Sequence, residues 1–225
     1  MTKLKPLPVD PETMARIRPM EDRDVADVVR LHRAAMGDSL WAKLGDNFLG
    51  EVYRGLLDHP DFLAFVYQED GRVRGFIAGS SDGPRMLSEV RRRRAARLAL
   101  ATVRGLVRKP RAVKPLMETF RYFQESSGPG DDTRAESMFC SFEPNLRGKK
   151  ISGLINKVLF DELARRGHRH VKITTEEDNE GAVRQLTSWG FERVGTFRFY
   201  GKPMLVWRLD LLDCERVDHP QRKRT

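Results

Sequence analysis

Hydrophobic and polar positions follow two spacings along this 225-residue chain, and the two spacings alternate from about residue 15. Helical spacing begins after residues 21 and 22 and recurs at 40–57, 148–166 and 179–189; its first apolar face comprises Val25, Val28, Val29, Leu31 and His32. Runs typical of strands occur at 15–18, 62–67, 73–78, 134–142, 170–174, 194–200 and 204–211. Asp70-Gly71 separates two of these runs and indicates a β-hairpin. The pattern predicts about seven strands combined with amphipathic helices.

The segment from residue 85 to 125 interrupts this alternation and carries the excess charge. The formal net charge of the chain is +9, and this segment alone holds twelve basic and three acidic residues. Its Ala-, Leu- and Arg-rich composition favours helix, and the Ser, Gly and Pro residues at 126–132 predict a loop. We favour a solvated helical flap that shapes the cleft in which a substrate binds. The alternatives are a site for an anionic substrate or a phosphate group, contact with membrane headgroups and contact with nucleic acid.

The domain organisation follows from length and composition. We predict one domain over 1–212, with halves at 15–84 and 134–212 and the basic segment and loop at 85–133 between them. The basic tail at 213–225 is expected to be disordered. No apolar run reaches the ~20 residues of a membrane helix, the N-terminus lacks the apolar stretch of a secretory signal, and two cysteines are too few for a disulfide scaffold. We therefore expect a cytoplasmic protein, with no metal site.

A strand, loop and helix unit over 136–154 carries the strongest chemical signal. Arg147, Gly148, Lys149 and Lys150 immediately precede the predicted helical face that begins at Ile151. A helix start offers free backbone N–H groups and a positive dipole end, which together bind anions. The three cations strengthen this effect, so the segment predicts a pyrophosphate site. A plain loop with solvated charges is the alternative.

The same residues resemble the signature of the GNAT superfamily of acyl-coenzyme A dependent N-acetyltransferases, Gln/Arg-x-x-Gly-x-Gly/Ala, whose first position is Arg147 here. Two further segments match the family, Asn179-Glu180-Gly181-Ala182 and Gly190-Phe191. The resemblance covers about 15–84 and 134–211. It implies the GNAT fold, an α+β fold with a mixed central sheet of about seven strands flanked by helices, here with a helical insertion between strands 3 and 4. The chain departs from the signature at Lys150 and Ser152, where Gly and Gly or Ala are usual.

This resemblance also implies how a cofactor binds. The fourth and fifth strands of the fold splay apart, and the pantetheine arm of acetyl-CoA lies along the main chain of Phe139, Cys140, Ser141 and Phe142. The loop and helix start would hold the phosphates, through Arg147, Gly148, Lys149, Lys150, Ile151, Ser152 and Gly153. Asn179 would contact the pantetheine region, a role that is compatible with capping the following helix.

Glu136 is the first candidate for the general base, since some relatives hold their base at this place. Alternation puts Glu136, Met138, Cys140 and Phe142 on one face of the fourth strand. An exposed carboxylate at the strand start is the alternative. Glu143 is a weaker candidate, because a negative charge beside the phosphate loop would repel the pyrophosphate.

The general acid of many relatives is a tyrosine, and Leu186 stands at that position here. Tyr200, near the last hairpin turn, is the candidate substitute, and a packing role is its alternative. A thiol of pKa ~8.5 leaves tolerably as thiolate, so proton donation is less demanding than for an alkoxide. Cys140 could act as a nucleophile, although a strand cysteine is more often a small buried hydrophobe.

These observations predict an N-acetyltransferase that moves an acetyl group from acetyl-CoA to a primary amine of a small molecule by direct attack in a ternary complex. The pattern Leu44-Gly45 and Phe48-Leu49 is similar to that of the small-molecule branch of the family. The alternative is a coenzyme A-binding or nucleic-acid-binding module with little or no turnover, because the signature is weakened and the tyrosine is absent. The sequence leaves a homodimer open.

Overall fold

Residues 7–37, 40–93, 133–146, 148–199 and 201–220 are described by the structure, which is a computed structural model. Residues 94–132, most of the predicted insertion, lie outside the described residues, as do Arg147, Tyr200 and the last five residues. Within the described part of the chain, no helix combines the length and hydropathy needed to cross a lipid bilayer.

The described residues up to Arg93 contain five helices and three strands. In order these are α1 Pro11–Ala15, β1 Ile17–Pro19, α2 Val25–Met36, α3 Leu40–Lys43, α4 Asp46–Leu57, β2 Phe62–Glu69, β3 Arg72–Ser80 and α5 Gly83–Arg93, with a 3-10 turn at Asp22–Asp24 before α2. The second half contains β4 Glu136–Phe142, a 3-10 turn at Pro144–Leu146, α6 Ile151–Arg165, β5 His170–Glu176, α7 Glu180–Trp189, β6 Glu192–Phe199 and β7 Lys202–Asp210.

The seven strands form one mixed sheet in the order β1-β2-β3-β4-β5-β7-β6. Only β4 and β5 run parallel to each other, and all other neighbours are antiparallel. The predicted strand number and mixed sheet are confirmed. The parallel pair lies at the centre of the sheet, so a helix, α6, must connect β4 to β5.

Each face of the sheet carries its own hydrophobic core. Helices α2, α4 and α5 bury their apolar sides on one face, in what we call the first core; its buried members include Val28, Leu49, Tyr53, Phe76 and Met86. Helices α6 and α7 cover the other face and form the second core, with buried members that include Ile77, Ile155, Leu159, Trp189 and Leu209. Helices on both faces leave the sheet accessible mainly at its edges and at strand ends.

Two local departures from the predicted elements have clear causes. The predicted helix over 40–57 is broken into α3 and α4, because Gly45 adopts a φ of +94° that no helix contains. The short helix α1 was not predicted. It begins after Asp10, whose carboxylate accepts a 3.0 Å hydrogen bond from the Thr13 N–H, and Pro11 stands at its first position.

The expectation of a disordered tail is wrong for residues 213–220. Cys214 and Val217 are buried in the second core, and the Arg216 guanidinium lies 5.4 Å from the centre of the Trp189 ring. Lys157 of α6 donates a 2.9 Å hydrogen bond to the Arg216 carbonyl. The apolar residues of this short segment outweigh its charges, so it packs across α6 and α7.

Candidate functional site

The candidate site lies where strands β4 and β5 part. The two strands are paired at only two positions, Glu136 with Lys172 and Ser137 with Ile173. Beyond them β4 stays with β3 as far as the pair of Phe142 and Gly75, while β5 follows β7. We call the opening between 138–142 and 174–176 the β4–β5 fork. Strand edges that face a fork keep main-chain donors and acceptors for a ligand.

A β-bulge in β4 corrects the predicted alternation of side chains. Ala78 pairs with Phe139 and the next residue, Gly79, pairs with Ser137, so Met138 is an extra residue in β4. After the bulge the strand changes phase. The consecutive residues Met138 and Phe139 both pack against the first core, and Phe142 packs against the second core. Glu136, Met138, Cys140 and Phe142 therefore do not share one face.

Glu136 lies at the closed end of the fork and is 4% exposed. Its register partner on the other side, Ser80, ends β3, and its Oε2 is 3.5 Å from where a Cβ of Gly83 would lie. The carboxylate thus lies on the α5 side of the sheet, and the alternative of an exposed strand-start carboxylate is wrong. Lys172, its partner on β5, is also buried.

The loop between β4 and α6 holds an unusual backbone conformation. Gly148 has a φ of +80°, and Lys150, which precedes the first helical residue, has a φ of +61°. Lysine rarely adopts this left-handed conformation, which glycine enters without strain. The loop therefore keeps the shape that a glycine would give at position 150, although a lysine stands there.

The start of α6 offers donors and positive charge. The N–H groups of Ile151 and Ser152 meet no acceptor among the described residues, and no side chain there caps the helix. Lys149 and Lys150 are exposed beside them. An oxyanion placed here would accept hydrogen bonds from the helix start and lie near two cations. The predicted residue Arg147 lies outside the described part of the chain.

Gly153 has a different environment from the other predicted phosphate-binding residues. It is buried, and a Cβ at this position would lie 3.0 Å from Leu7 Cδ1. The N-terminal segment therefore packs on the first turn of α6. A small residue at 153 serves this helix packing.

Glu143 is neutralised by two arginines that sequence reasoning did not connect with the site. Its Oε1 lies 2.9 Å from Arg30 Nη1 of α2, and its Oε2 lies 3.4 Å from Arg74 Nη1 of β3. The pairs join residues 113 and 69 positions apart, so no local signal in the sequence could reveal them. They offset the charge that would otherwise repel a phosphate.

A buried polar pair behind the bulge was also missed. His32 Nδ1 lies 2.7 Å from the Tyr53 hydroxyl, and the His32 ring lies 5.0 Å from the Phe139 ring. Burial lowers the pKa of His32 from 6.5 to about 4, so the imidazole is neutral at pH 7 and shares this hydrogen bond with the hydroxyl as an uncharged ring. The helical spacing placed His32 on an apolar face, and the hydrophobic pattern could show no more than that.

Structural comparison identifies this architecture, whereas the sequence by itself finds no match among protein family models or among curated proteins. The ribosomal-protein-S18-alanine N-acetyltransferase from Escherichia coli superposes with a TM-score of 0.53 at 12% identity, over 86% of this chain and 92% of that one. An acetyltransferase of the GNAT family from Streptococcus pneumoniae gives 0.53 at 11% identity, over 86% and 97%. The chain has the GNAT fold. A Salmonella typhimurium structure determined with its cofactor acetyl-CoA gives 0.50 at 16% identity, over 90% and 96%.

Two further positions predicted from the GNAT resemblance lie at α7, one at its N-cap and one within the helix. Asn179 caps this helix, with its Oδ1 accepting a 3.1 Å hydrogen bond from the Ala182 N–H. Leu186 is buried in the second core, where a leucine packs well and a tyrosine hydroxyl would need a partner. Tyr200 lies outside the described residues.

Cys140 of the GNAT fold's fourth strand is not activated. Its side chain is exposed, yet the surrounding protein desolvates the sulfur and raises the pKa of the thiol to about 12. Among the described residues no histidine or carboxylate hydrogen-bonds to it. The thiol therefore stays protonated at neutral pH, which disfavours the nucleophile hypothesis.

Proposed function

We propose that this protein is a divergent GNAT N-acetyltransferase that transfers the acetyl group of acetyl-CoA to a primary amine of a small molecule. The observation that carries the proposal is the fork between β4 and β5, which opens beside a helix start with free N–H groups and two lysines. A fork accepts an extended arm and a helix start accepts phosphates, and acetyl-CoA combines both.

The cofactor would be held mainly by main-chain groups. The pantetheine arm would run along Phe139, Cys140, Ser141 and Phe142. None of these four side chains is charged at neutral pH. The pyrophosphate would lie on the N–H groups of Ile151 and Ser152, beside Lys149 and Lys150. Asn179 would approach the arm from the β5 side of the fork through its amide group, whose oxygen already caps α7.

The reaction would be a direct acyl transfer in a ternary complex. The neutral amine nitrogen attacks the thioester carbonyl carbon, and the C–N bond forms as the C–S bond breaks. A main-chain N–H at the β4 bulge would polarise the carbonyl oxygen. The amine loses one proton to a base, and the thiolate leaves and takes up one proton to become coenzyme A. Atoms and charges then balance without a covalent enzyme intermediate.

Glu136 is the proposed base. It is a buried carboxylate at the closed end of the fork, on the side of the sheet covered by α5. A carboxylate in this position can take the amine proton directly or through one water. Glu143 is less suited, because two guanidinium groups already hold both of its oxygens.

Protonation of the leaving thiolate needs little assistance. Leu186 cannot donate a proton, and a thiol of pKa ~8.5 is a tolerable leaving group without a donor. Tyr200 is the proposed donor where one is used. Its replacement by phenylalanine would then lower turnover moderately and leave cofactor binding unchanged.

Two assays test the proposal in sequence. Thermal shift with acetyl-CoA measures binding, and thiol release measures transfer to a panel of amines that includes amino sugars, polyamines and amino acid amides. The panel also includes a peptide that begins with alanine, since one solved structure of this fold is a ribosomal-protein-S18-alanine N-acetyltransferase. We expect stabilisation by acetyl-CoA and thiol release with at least one amine.

Charge variants make the binding result specific. The double variant K149Q/K150Q should weaken acetyl-CoA binding about tenfold, because charge-assisted hydrogen bonds to the phosphates are lost. Arg165→Gln is the matched control, since Arg165 is exposed at the far end of the same helix. Binding of acetyl-CoA without thiol release for any amine would favour the alternative, a coenzyme A-binding module with little or no turnover. Absence of acetyl-CoA binding would overturn the proposal.

A further inference from the structure

A second concave surface lies between helices α2 and α4. Its volume is about 580 Å³, which is within the range of small-molecule sites. It is lined by Val25, Ala26, Val29, Arg30, Arg33, Ala34 and Gly37 from α2 and its end, and by Ala42, Asp46, Asn47, Gly50 and Arg54. We call it the α2–α4 groove.

Small apolar residues create the space in the α2–α4 groove. Ala26, Ala34, Ala42 and Gly50 line it, and their small size leaves the space open. At Gly50 a Cβ would lie 3.9 Å from Val25 Cγ1, so the helices approach closely at the floor. The floor therefore suits the apolar body of a small ligand.

Guanidinium groups dominate the charged lining of the groove. Three arginines and one aspartate line it. Arg33 uses Nη1 for a 2.6 Å contact with Asp46, and Arg54 contacts Glu51 and Asp22 at 3.4 and 3.3 Å. Among the described residues, no acceptor meets Nε and Nη2 of Arg33 or Nη2 of Arg54. Arg33 is thus oriented by one carboxylate and Arg54 by two, and each guanidinium group keeps donors for a further oxyanion.

Arg30 has a different role in the groove. Its Nη1 donates to Glu143, its Nε and Nη2 donate to Asp27, and Nη2 also donates to the Val73 carbonyl. All its nitrogens are engaged, so it forms a fixed wall. Recognition of an anion therefore falls to Arg33 and Arg54.

We propose that the α2–α4 groove binds a small organic anion, in which a phosphate or carboxylate group meets Arg33 and Arg54 and an apolar body covers the alanine and glycine floor. None of the lining residues belongs to the fork or to the start of α6, and the proposal does not depend on the acetyltransferase assignment. It predicts that the anionic group and the apolar body each contribute to affinity.

Phenyl phosphate, inorganic phosphate and phenol test this division on the full-length protein. Amide chemical shifts locate each ligand and titration measures its affinity. We expect phenyl phosphate to shift amides in 26–34 and 46–54 and to bind at least fivefold more tightly than either of the other two. Arg33→Gln and Arg54→Gln should each weaken its binding about fivefold to tenfold, whereas Arg165→Gln should not.

A filling variant separates the groove from other anion sites. Ala26 is exposed on α2, so Ala26→Phe should fold normally, occupy the groove and abolish the shifts in these two segments. Shifts confined to 148–153 would place the probe at the start of α6 and overturn the proposal. Equal binding to the wild type and to both arginine variants would overturn it as well.

Discussion

The Ser141 hydroxyl donates a 2.9 Å hydrogen bond to the backbone carbonyl of Leu31, which ties strand β4 to helix α2. Both residues are buried, and the carbonyl belongs to a helix. Ser141→Ala should lower the free energy of unfolding by about 1–2 kcal/mol, because a buried acceptor loses a partner. Urea denaturation measures this change. Ser188→Ala, which removes an exposed hydroxyl bonded within its own helix, is the control and should change stability by less than about 0.5 kcal/mol.

A second prediction concerns the contact between Gly75 and Phe142 at the open end of β4. A Cβ at Gly75 would lie 2.2 Å from Phe142 Cδ1, which no rotation of a packed ring accommodates at low cost. Gly75→Ala should destabilise the fold by about 1–3 kcal/mol. In a Phe142→Ala background the same substitution should cost at least about 1 kcal/mol less, as a double-mutant cycle by urea denaturation would show. Additive effects would contradict the proposed clash.

Lys150 should be replaceable by glycine with a gain in stability. The residue has a φ of +61°, and a left-handed conformation costs a non-glycine residue about 1–2 kcal/mol. Part of this gain is offset by the greater entropy of glycine in the unfolded chain, so Lys150→Gly should raise the free energy of unfolding by about 0.5–1 kcal/mol. Lys150→Gln keeps the strain and should leave stability unchanged. Both variants should bind acetyl-CoA more weakly, because both lack the cation, and a glycine variant of lower stability would contradict the prediction.

Stability should fall with acidification in a way that depends on His32. Burial lowers its pKa from 6.5 to about 4 in the folded protein, while the unfolded chain keeps the ordinary value. The unfolded state therefore binds more protons between these values, and the stability present above pH 6.5 is lost as pH falls towards 4. The loss is about 3 kcal/mol at most, at ~1.4 kcal/mol per pKa unit.

His32→Asn isolates this contribution. The asparagine side chain carries both a donor and an acceptor, so it can replace Nδ1 in the hydrogen bond to the Tyr53 hydroxyl, and it does not titrate. Urea denaturation at pH 7 and pH 4.5 should show a smaller pH dependence in the variant than in the wild type. An identical dependence would show that other groups cause the acid sensitivity.

Glu136→Gln should separate catalysis from cofactor binding. If Glu136 is the base, thiol release should fall about 100-fold and lose the ionisation at the acidic side of its pH profile. The KM for acetyl-CoA should change little. Glu143→Gln is the matched comparison: it should keep kcat within a few fold and lower the KM for acetyl-CoA, since Arg30 and Arg74 would then be free to attract the phosphates. A reversed result would exchange the roles of the two carboxylates.

Local sequence patterns predicted the elements well because their causes are local. The period of apolar residues in α2, α6 and α7 and the Asp70-Gly71 turn depend on neighbours within about one turn of chain. The break at Gly45 and the bulge at Met138 were missed, because a positive φ and an extra residue leave no mark on an apolar pattern. The bulge mattered most for the site, since it puts Glu136 and Phe142, six residues apart, on opposite sides of the sheet.

The sequence by itself determined the strand order along the chain, the location of the excess charge and the basic loop before α6, since these depend on composition and short-range spacing. Only the tertiary structure decided that Glu136 is buried, that Glu143 is neutralised by Arg30 and Arg74, that residues 213–220 are packed, and that α2 and α4 enclose a groove. Each of these depends on contacts between distant segments. Such contacts follow from how the two cores pack on the sheet, which no single segment encodes.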